Sequence, residues 1–307
     1  MKISFIGAGR LGSIIAYTTV LRQLAQEVVM VDIIGPLAQG QANDLRHAME
    51  YKAELSTWAG DYEEIRDSDI VVVTAGRPRA PGMTRLDLLG TNAPIMRDVA
   101  EKVGKLAPHA VMINLTNPMD VMNYVAYKYS GFERTKVIGS GGMLDTARFR
   151  TALSDHLSVP ASRIEAYVLG EHGDSQVPAW SKVRVDEETR TFTQEERSRI
   201  REQIKEVAID IISGKKATEF GPANCTADMI EAIVEDKDQL IPSSIVVKGE
   251  YGMKDFSIGM PVVLGEGGVK EILEWDLDSA ELEDMRSSGA ILSKGRDEAL
   301  DILAANP

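Results

Sequence analysis

The stretch KISFIGAGRLG at residues 2–12 decides the fold. It begins with an apolar, β-prone run, and Gly7, Gly9 and Gly12 then give the pattern G-x-G-x-x-G before helix-compatible residues 13–25. In this pattern the glycines allow a tight turn, a close approach of backbone to a pyrophosphate, and close packing of helix on strand. The helix N-terminus adds free N–H groups and the positive end of a dipole. The stretch therefore predicts a dinucleotide-binding turn.

A second predicted strand, residues 27–31, ends at Asp32, twenty residues after Gly12. A carboxylate at this place accepts hydrogen bonds from the adenosine ribose and repels a 2′-phosphate. The expected cofactor is therefore NAD rather than NADP. The residues predicted to bind it here are Gly7, Ala8, Gly9, Arg10, Leu11, Gly12 and Asp32.

Strand and helix patterns alternate from this turn to residue 140. The predicted strands are 70–73, 110–115 and 136–139, and the predicted helices are 37–52, 88–106 and 121–129. The strand runs are β-branched and nearly continuous in their apolar character, which is typical of strands buried on both faces. We therefore predict an α/β fold with a Rossmann-type doubly wound parallel sheet over residues 1–141.

The pattern changes at about Gly141, and residues 142–307 are predicted to form an α+β domain that binds substrate. Thr193 and Glu196 have the spacing of a capping box, which opens a helix that Gly214 ends. The predicted core face of that helix is Ile200, Ile204, Val207 and Ile211. The other predicted helices are 143–157, 218–234 and 280–304, and the predicted strands are 164–169, 180–185, 239–248 and 258–264.

Composition narrows the function classes. The 307 residues carry a formal net charge of -13, which argues against a nucleic-acid partner. No run reaches about 18 apolar residues, so no membrane span is expected, and the N-terminus lacks a signal-peptide layout. The single cysteine, Cys225, excludes an internal disulfide and a cysteine metal cluster. These features favour the cytoplasm and predict no metal.

Residues 74–90, TAGRPRAPGMTRLDLLG, leave the predicted strand 70–73 as a Gly/Pro-rich loop. The loop carries cations at Arg79 and Arg85. Such a loop suits a lid that closes on an anion, although by itself it equally fits a surface loop with solvated arginines.

Three further polar residues stand where chemistry is expected. Asn117 follows the predicted strand 110–115, and open α/β sheets bind ligands at the carboxyl ends of their strands. His172 stands in a glycine-flanked loop, where a neutral imidazole can accept a hydroxyl proton. Such a base needs a carboxylate to orient it, and Asp145 is the candidate.

Taken together, these motifs resemble the lactate/malate dehydrogenase family. The matching segments are GAGRLG (7–12), Asp32, RPRAPGMTR (77–85), LTNP (115–118), LDTARFR (144–150), LGEHGD (169–174) and GKKATEFGPA (214–223). The resemblance implies that His172 is the general acid/base, with Asp145 as its partner. It also implies that Arg148 binds the C1 carboxylate of the substrate and that Arg85 polarises the C2 oxygen as a catalytic residue.

The resemblance implies further contacts. Asn117 touches both nicotinamide and substrate oxygen, Thr218 borders the substrate, and Asn92, Leu115 and Thr116 line the cofactor site. It also implies a homo-oligomer, either a dimer or a tetramer.

Arg79 is expected to determine the substrate specificity. Lactate enzymes of the family carry glutamine at this lid position and malate enzymes carry arginine. An unpaired buried charge costs about 3–5 kcal/mol, so Arg79 favours a second carboxylate and disfavours pyruvate. The expected substrates are therefore the dicarboxylates malate and oxaloacetate.

Three alternatives remain open at this point. One is a lactate or other 2-hydroxy acid dehydrogenase, which Arg79 disfavours. Another is an NAD-dependent glycosidase, a class that typically uses a divalent metal bound through Cys and His. The third is a non-catalytic NAD-binding sensor, which would have no reason to combine His172, Asp145 and Arg148.

Overall fold

The computed structural model describes residues 1–52, 54–78 and 84–305, and of Arg85 only the backbone. Its parallel strands are β1 (Lys2–Ile6), β2 (Glu27–Val31), β3 (Ser56–Gly60), β4 (Ile70–Val73), β5 (Val111–Asn114) and β6 (Val137–Gly139). They lie in the order β3-β2-β1-β4-β5-β6, and each neighbouring pair is parallel. The order reverses between β1 and β4, which opens a crevice at the carboxyl ends of these strands.

The helices are α1 (Arg10–Leu21), α2 (Gly35–Met49), α3 (Arg85–Leu106), α4 (Met119–Ser130), α5 (Gly142–Leu157), α6 (Gln194–Lys215), α7 (Phe220–Val234) and α8 (Ser279–Ala305). Helix α1 packs against α2 and α7, whereas α3, α4 and α8 pack against one another. The predicted α/β, doubly wound fold is confirmed. No helix in the described part of the chain is long and apolar enough to cross a membrane.

The remaining strands are β7 (Ile164–Glu165), β8 (Val168–Gly170), β9 (Gln176–Pro178), β10 (Arg184–Val185), β11 (Glu188–Thr189), β12 (Gln239–Lys248), β13 (Lys254–Gly265) and β14 (Gly268–Ile272). The large sheet continues past β6 through β12, β13, β8 and β9, with β14 also paired to β13. Strands β12 and β6 meet antiparallel at Ser244 and Gly139. The sheet therefore runs without a break from the first half of the chain into the second.

Two strand predictions were wrong in detail. The predicted strand 164–169 is split, because β7 joins the small sheet β11-β10-β7 while β8 joins the large one. The predicted strand 180–185 begins with a turn of 3-10 helix at Trp180–Lys182, and only Arg184–Val185 forms a strand, β10. The Trp180 ring lies 4.8 Å from that of Phe149, so it fills a second core and does not extend a sheet.

Several predicted helix limits also shift. Helix α1 ends at Leu21, not at residue 25, and Gln23 just beyond it has a φ of 59°. Helix α3 begins at Arg85, not at residue 88, because Thr84 and Asp87 form a capping box. The Thr193–Glu196 box is present at α6, and Ile200 and Ile204 are buried. Val207 is 47% exposed, so its predicted core position was wrong.

Candidate active site

The turn after β1 is closed by its first and third glycines. Gly7 has a φ of +108°, a conformation that side chains rarely adopt. A Cβ on Gly12 would lie 1.9 Å from the carbonyl oxygen of Gly7. The two glycines therefore allow α1 to pack directly on the end of the strand.

The second glycine has a different surrounding. Gly9 is the N-cap of α1 without a side-chain cap, and a Cβ built on it meets nothing within 4 Å. It borders a cleft of about 460 Å³ together with Ala8, Arg10, Ser13 and Gln41. Free N–H groups at a helix N-terminus facing such a cleft suit a pyrophosphate. These residues fit NAD.

Asp32 lies beside this turn at the end of β2. Its Oδ2 accepts a hydrogen bond from the Ala8 N–H at 2.7 Å, and its Oδ1 accepts one from the Ile34 N–H at 2.9 Å. Two backbone donors therefore fix the carboxylate next to the glycine turn. A carboxylate has about four acceptor positions, so others remain for ribose hydroxyls.

An ion-pair cluster that no sequence motif predicts joins the turn to the second half of the chain. Arg10 pairs with Glu219, which also receives Lys215 Nζ at 2.7 Å. The Glu219 side chain is only 5% exposed and borders the same cleft as Gly9. The pKa of Glu219 is lowered, chiefly by its hydrogen bond with Lys215. Two cations thus neutralise a carboxylate that would otherwise repel an anionic cofactor.

Serine substitutions should separate the two glycine tasks. Gly12→Ser is expected to lower the free energy of unfolding of the cofactor-free protein by about 1–3 kcal/mol, because its Cβ overlaps Gly7. Gly9→Ser should leave that stability nearly unchanged, because Ser is a favoured N-cap. It should weaken NADH binding about tenfold or more, because its side chain would occupy the space where the pyrophosphate approaches the backbone. Urea unfolding and NADH fluorescence titration measure both. Equal effects of the two variants on both quantities would contradict this division of tasks.

Asn92 joins the start of the lid to Asn117. Its Oδ1 accepts from the Arg77 N–H at 2.8 Å, and its Nδ2 donates to the carbonyl oxygens of Arg77 and Asn117 at 3.1 and 2.7 Å. Its side-chain amide, 1% exposed, is therefore occupied by backbone. Thr116 Oγ1 similarly donates to the Ala75 carbonyl oxygen at 2.7 Å. Leu115 and Thr116 are buried, and Asn117 is exposed at the carboxyl end of β5.

Only the ends of the predicted lid, residues 77–85, lie among the described residues. Arg79 lies outside the described residues, and Arg85 is the first residue of α3. The Asn92 bonds fix the backbone at Arg77, where the chain leaves for the lid. The capping box fixes the point where it returns at Thr84.

His172 and Asp145 are brought together. The Nδ1 atom of His172 lies 2.7 Å from Oδ2 of Asp145, and Oδ1 of Asp145 accepts from Arg148 Nη1 at 3.4 Å. Asp145 and Arg148 share one face of α5, as their spacing predicts. The pKa of His172 is raised to about 9, chiefly by the charge of Asp145, against the opposing effect of burial.

The dyad lies at the same edge of the sheet as the glycine turn. A Cβ on Gly141, just after β6, would lie 2.7 Å from His172 Cβ. The His172 backbone N–H donates to Oδ2 of Asp120, at the start of α4, at 2.8 Å. Within the described residues Nδ1 is engaged by Asp145 and Nε2 has no hydrogen-bond partner, so Nε2 is the nitrogen that is free to accept or donate a proton.

Comparison with known families identifies the chain. The family model for the lactate/malate dehydrogenase NAD-binding domain matches residues 1–139, and the model for the alpha/beta C-terminal domain of the same family matches residues 142–302. The chain belongs to the lactate/malate dehydrogenase family. Membership in this family establishes an NAD-dependent oxidoreductase.

Individual relatives agree with the family. The chain is 44% identical to a malate dehydrogenase of Natronomonas pharaonis over 97% of its own length and 99% of that protein. It is 37% identical to an L-lactate dehydrogenase of Acetivibrio thermocellus, covering 95% of each chain. Among solved structures, malate dehydrogenase of Archaeoglobus fulgidus in complex with NADH matches with a TM-score of 0.88 and 38% identity, covering 97% of this chain and 99% of that one.

Proposed function

We propose that this chain catalyses the reversible, NAD-dependent oxidation of (S)-malate to oxaloacetate. The observation that carries the proposal is the His172–Asp145 pair, held at the sheet edge where the NAD-binding turn opens. The malate dehydrogenase of Natronomonas pharaonis, at 44% identity, supports the choice of substrate over the lactate alternative, whose relative matches at 37%.

The proton moves through His172. Neutral His172 accepts the C2 hydroxyl proton of malate at Nε2, and protonated His172 returns it during reduction of oxaloacetate. Asp145 holds Nδ1 and stabilises the imidazolium that forms. Bound NAD supplies the acceptor for the hydride that leaves C2. The cofactor would be held by the backbone of residues 7–12 and by Asp32, Asn92, Leu115 and Thr116.

The substrate is held by three arginines and an amide in this proposal. Arg148 binds the C1 carboxylate, a task that suits the planar fork of a guanidinium. Its 3.4 Å contact with Asp145 supports a position beside the base. Arg85 polarises the C2 oxygen, Arg79 pairs with the second carboxylate, and Asn117 contacts the C2 oxygen. Thr218, directly before Glu219, would border the substrate.

The test of this function is NADH oxidation with oxaloacetate and with pyruvate, side by side. A strong preference for oxaloacetate is expected, because pyruvate leaves Arg79 without a partner charge. Equal or better turnover of pyruvate would place the enzyme among the lactate dehydrogenases despite Arg79.

The two directions should depend on pH in opposite ways. The rate of malate oxidation should rise with pH through the titration of His172, because oxidation needs the neutral base. The rate of oxaloacetate reduction should fall through the same titration, because reduction needs the imidazolium. Both limbs should turn above the ordinary histidine value of about 6.5, since Asp145 raises the pKa of His172. Limbs that rise together in kcat/KM profiles would contradict His172 as the base.

The division into domains, the cellular location and the oligomeric state are part of the same proposal. We assign residues 1–141 to cofactor binding and 142–307 to substrate binding, which the two family matches support. We place the enzyme in the cytoplasm, which the single, buried Cys225 supports. We expect a homo-oligomer, a dimer or a tetramer, and exposed apolar side chains such as Ile33, Ile209 and Phe220 are available for subunit contacts.

A further inference from the structure

A buried carboxylate lies directly beneath the His172 loop. Asp120, in the first turn of α4, is 2% exposed. Its Oδ2 accepts from the His172 backbone N–H at 2.8 Å, and its Oδ1 accepts from the Ser244 hydroxyl at 2.5 Å. His172 is therefore held twice, by Asp145 at the imidazole and by Asp120 at the main chain.

The surroundings of Asp120 are polar and buried. Ser244 Oγ lies 2.9 Å from Ser257 Oγ, which also accepts from Asn123 Nδ2 at 2.9 Å. Ser244, Ser257 and Asn123 are each 0–1% exposed. The first turn of a helix also favours an anion. Because these contacts compensate burial only in part, the pKa of Asp120 is raised to about 6, chiefly by desolvation.

A neutral acceptor could also pair with the His172 N–H, but a carboxylate makes the stronger hydrogen bond and also acts on the imidazole through its charge. Among the charged groups that act on the imidazole are Asp145 and Arg148 on α5 and Asp120 on α4. Both carboxylates raise the pKa of His172, and Arg148 lowers it. Glu171 acts in turn on Asp120, whose pKa it raises. Carboxylates from two different helices thus favour the imidazolium, Asp145 through a hydrogen bond to the ring and Asp120 through its charge.

We propose that Asp120 is a positioning residue for the reaction, which anchors the His172 main chain and supplies a second negative charge that stabilises the imidazolium. This proposal rests on the proposed role of His172 as the acid/base. Two carboxylates then set the ratio of neutral to protonated His172. Asp145 contacts its imidazole and Asp120 contacts its main chain.

The test is the titration of His172 in Asp120→Asn. Exchange of the Cε1 hydrogen with deuterium, followed by mass spectrometry of peptides over a pH series, reports each histidine separately and without turnover. We expect the His172 titration to move down by about one pH unit, because an opposite charge nearby is lost. His47, His109 and His156 are measured in the same digest and serve as internal controls.

Two further variants make the test decisive. Asp174→Asn makes the same chemical change at an exposed carboxylate two residues from His172, and it should leave the titration of His172 in place. Ser244→Ala keeps Asp120 but removes the hydroxyl that stabilises its charged form. It should shift the titration midpoint of His172 in the same direction by a smaller amount. It also replaces Asp120→Asn as the test if that variant does not fold. The proposal is overturned if the titration midpoint of His172 stays in place in Ser244→Ala and in any folded Asp120→Asn. It is also overturned if Asp174→Asn shifts that midpoint as much as Asp120→Asn does.

The pH profile of kcat/KM separates this proposal from the proposed function. If exchange and both kinetic limbs shift together in Asp120→Asn, the positioning role and the base role both stand. If exchange shifts while the kinetic limbs stay in place, Asp120 tunes His172 but His172 is not the base.

Discussion

His172→Gln is expected to lower kcat/KM about 10²–10⁴-fold in both directions of the reaction. Glutamine can hydrogen-bond to Asp145 but cannot exchange a proton with the substrate at neutral pH. NADH affinity should change little, because the cofactor cleft is built around Gly9 and Asp32 at the ends of β1 and β2. Initial rates with oxaloacetate and with malate measure the loss, and NADH fluorescence titration checks that the cofactor site is intact.

His156→Gln is the matched control. His156 also has a carboxylate partner, with its Nε2 3.4 Å from Glu196 Oε1, but it lies near the end of α5, away from the sheet edge that carries the site. Its replacement should leave kcat/KM nearly unchanged, because His156 contacts neither the glycine turn nor the His172–Asp145 pair. The assignment fails if His172→Gln keeps most of the activity while still binding NADH, or if the control loses as much.

Arg79→Gln is expected to reduce the preference for oxaloacetate over pyruvate by about 10²–10⁴-fold. The lost pairing of a buried carboxylate is worth about 3–5 kcal/mol, and each 1.36 kcal/mol is a factor of ten in rate. Position 79 lies outside the described residues, and the loop that carries it is fixed at Arg77 by Asn92 and at Thr84 by the capping box. The measurement is the ratio of kcat/KM for the two keto acids.

Arg77→Gln provides the comparison for this variant. Arg77 is exposed, and its backbone is fixed by Asn92, so loss of its side-chain charge should leave the substrate preference nearly unchanged. Arg79→Lys should retain part of the preference, because the charge stays while the planar fork is lost. A preference that survives Arg79→Gln intact would show that another residue meets the second carboxylate.

Local pattern explains which elements could be predicted. Strands β1, β2 and β4 were placed correctly, because a short apolar run before a glycine or an acid is a complete signal within a few residues. Strand β3 was missed because STWAG carries little apolar pattern. Residues 164–169 look like one strand, but neighbouring segments divide them between two sheets. Val207 fits the helical repeat of α6, yet no core lies opposite it.

The sequence by itself determined the glycine turn, the acid at Asp32 and the identity of the family, because each depends on residue types at fixed local spacing. Family resemblance predicted that His172 meets Asp145, but only the tertiary structure showed that Asp120 joins them and that Ser244 joins Asp120. His172 reaches Asp145 across 27 residues and Asp120 across 52, and Asp120 reaches Ser244 across 124. Contacts over such separations leave no periodicity in the chain, since they arise only when strand ends gather at one edge of a sheet. The motif LGEHGD therefore predicts the role of His172, whereas the groups that the fold brings beside it set its pKa.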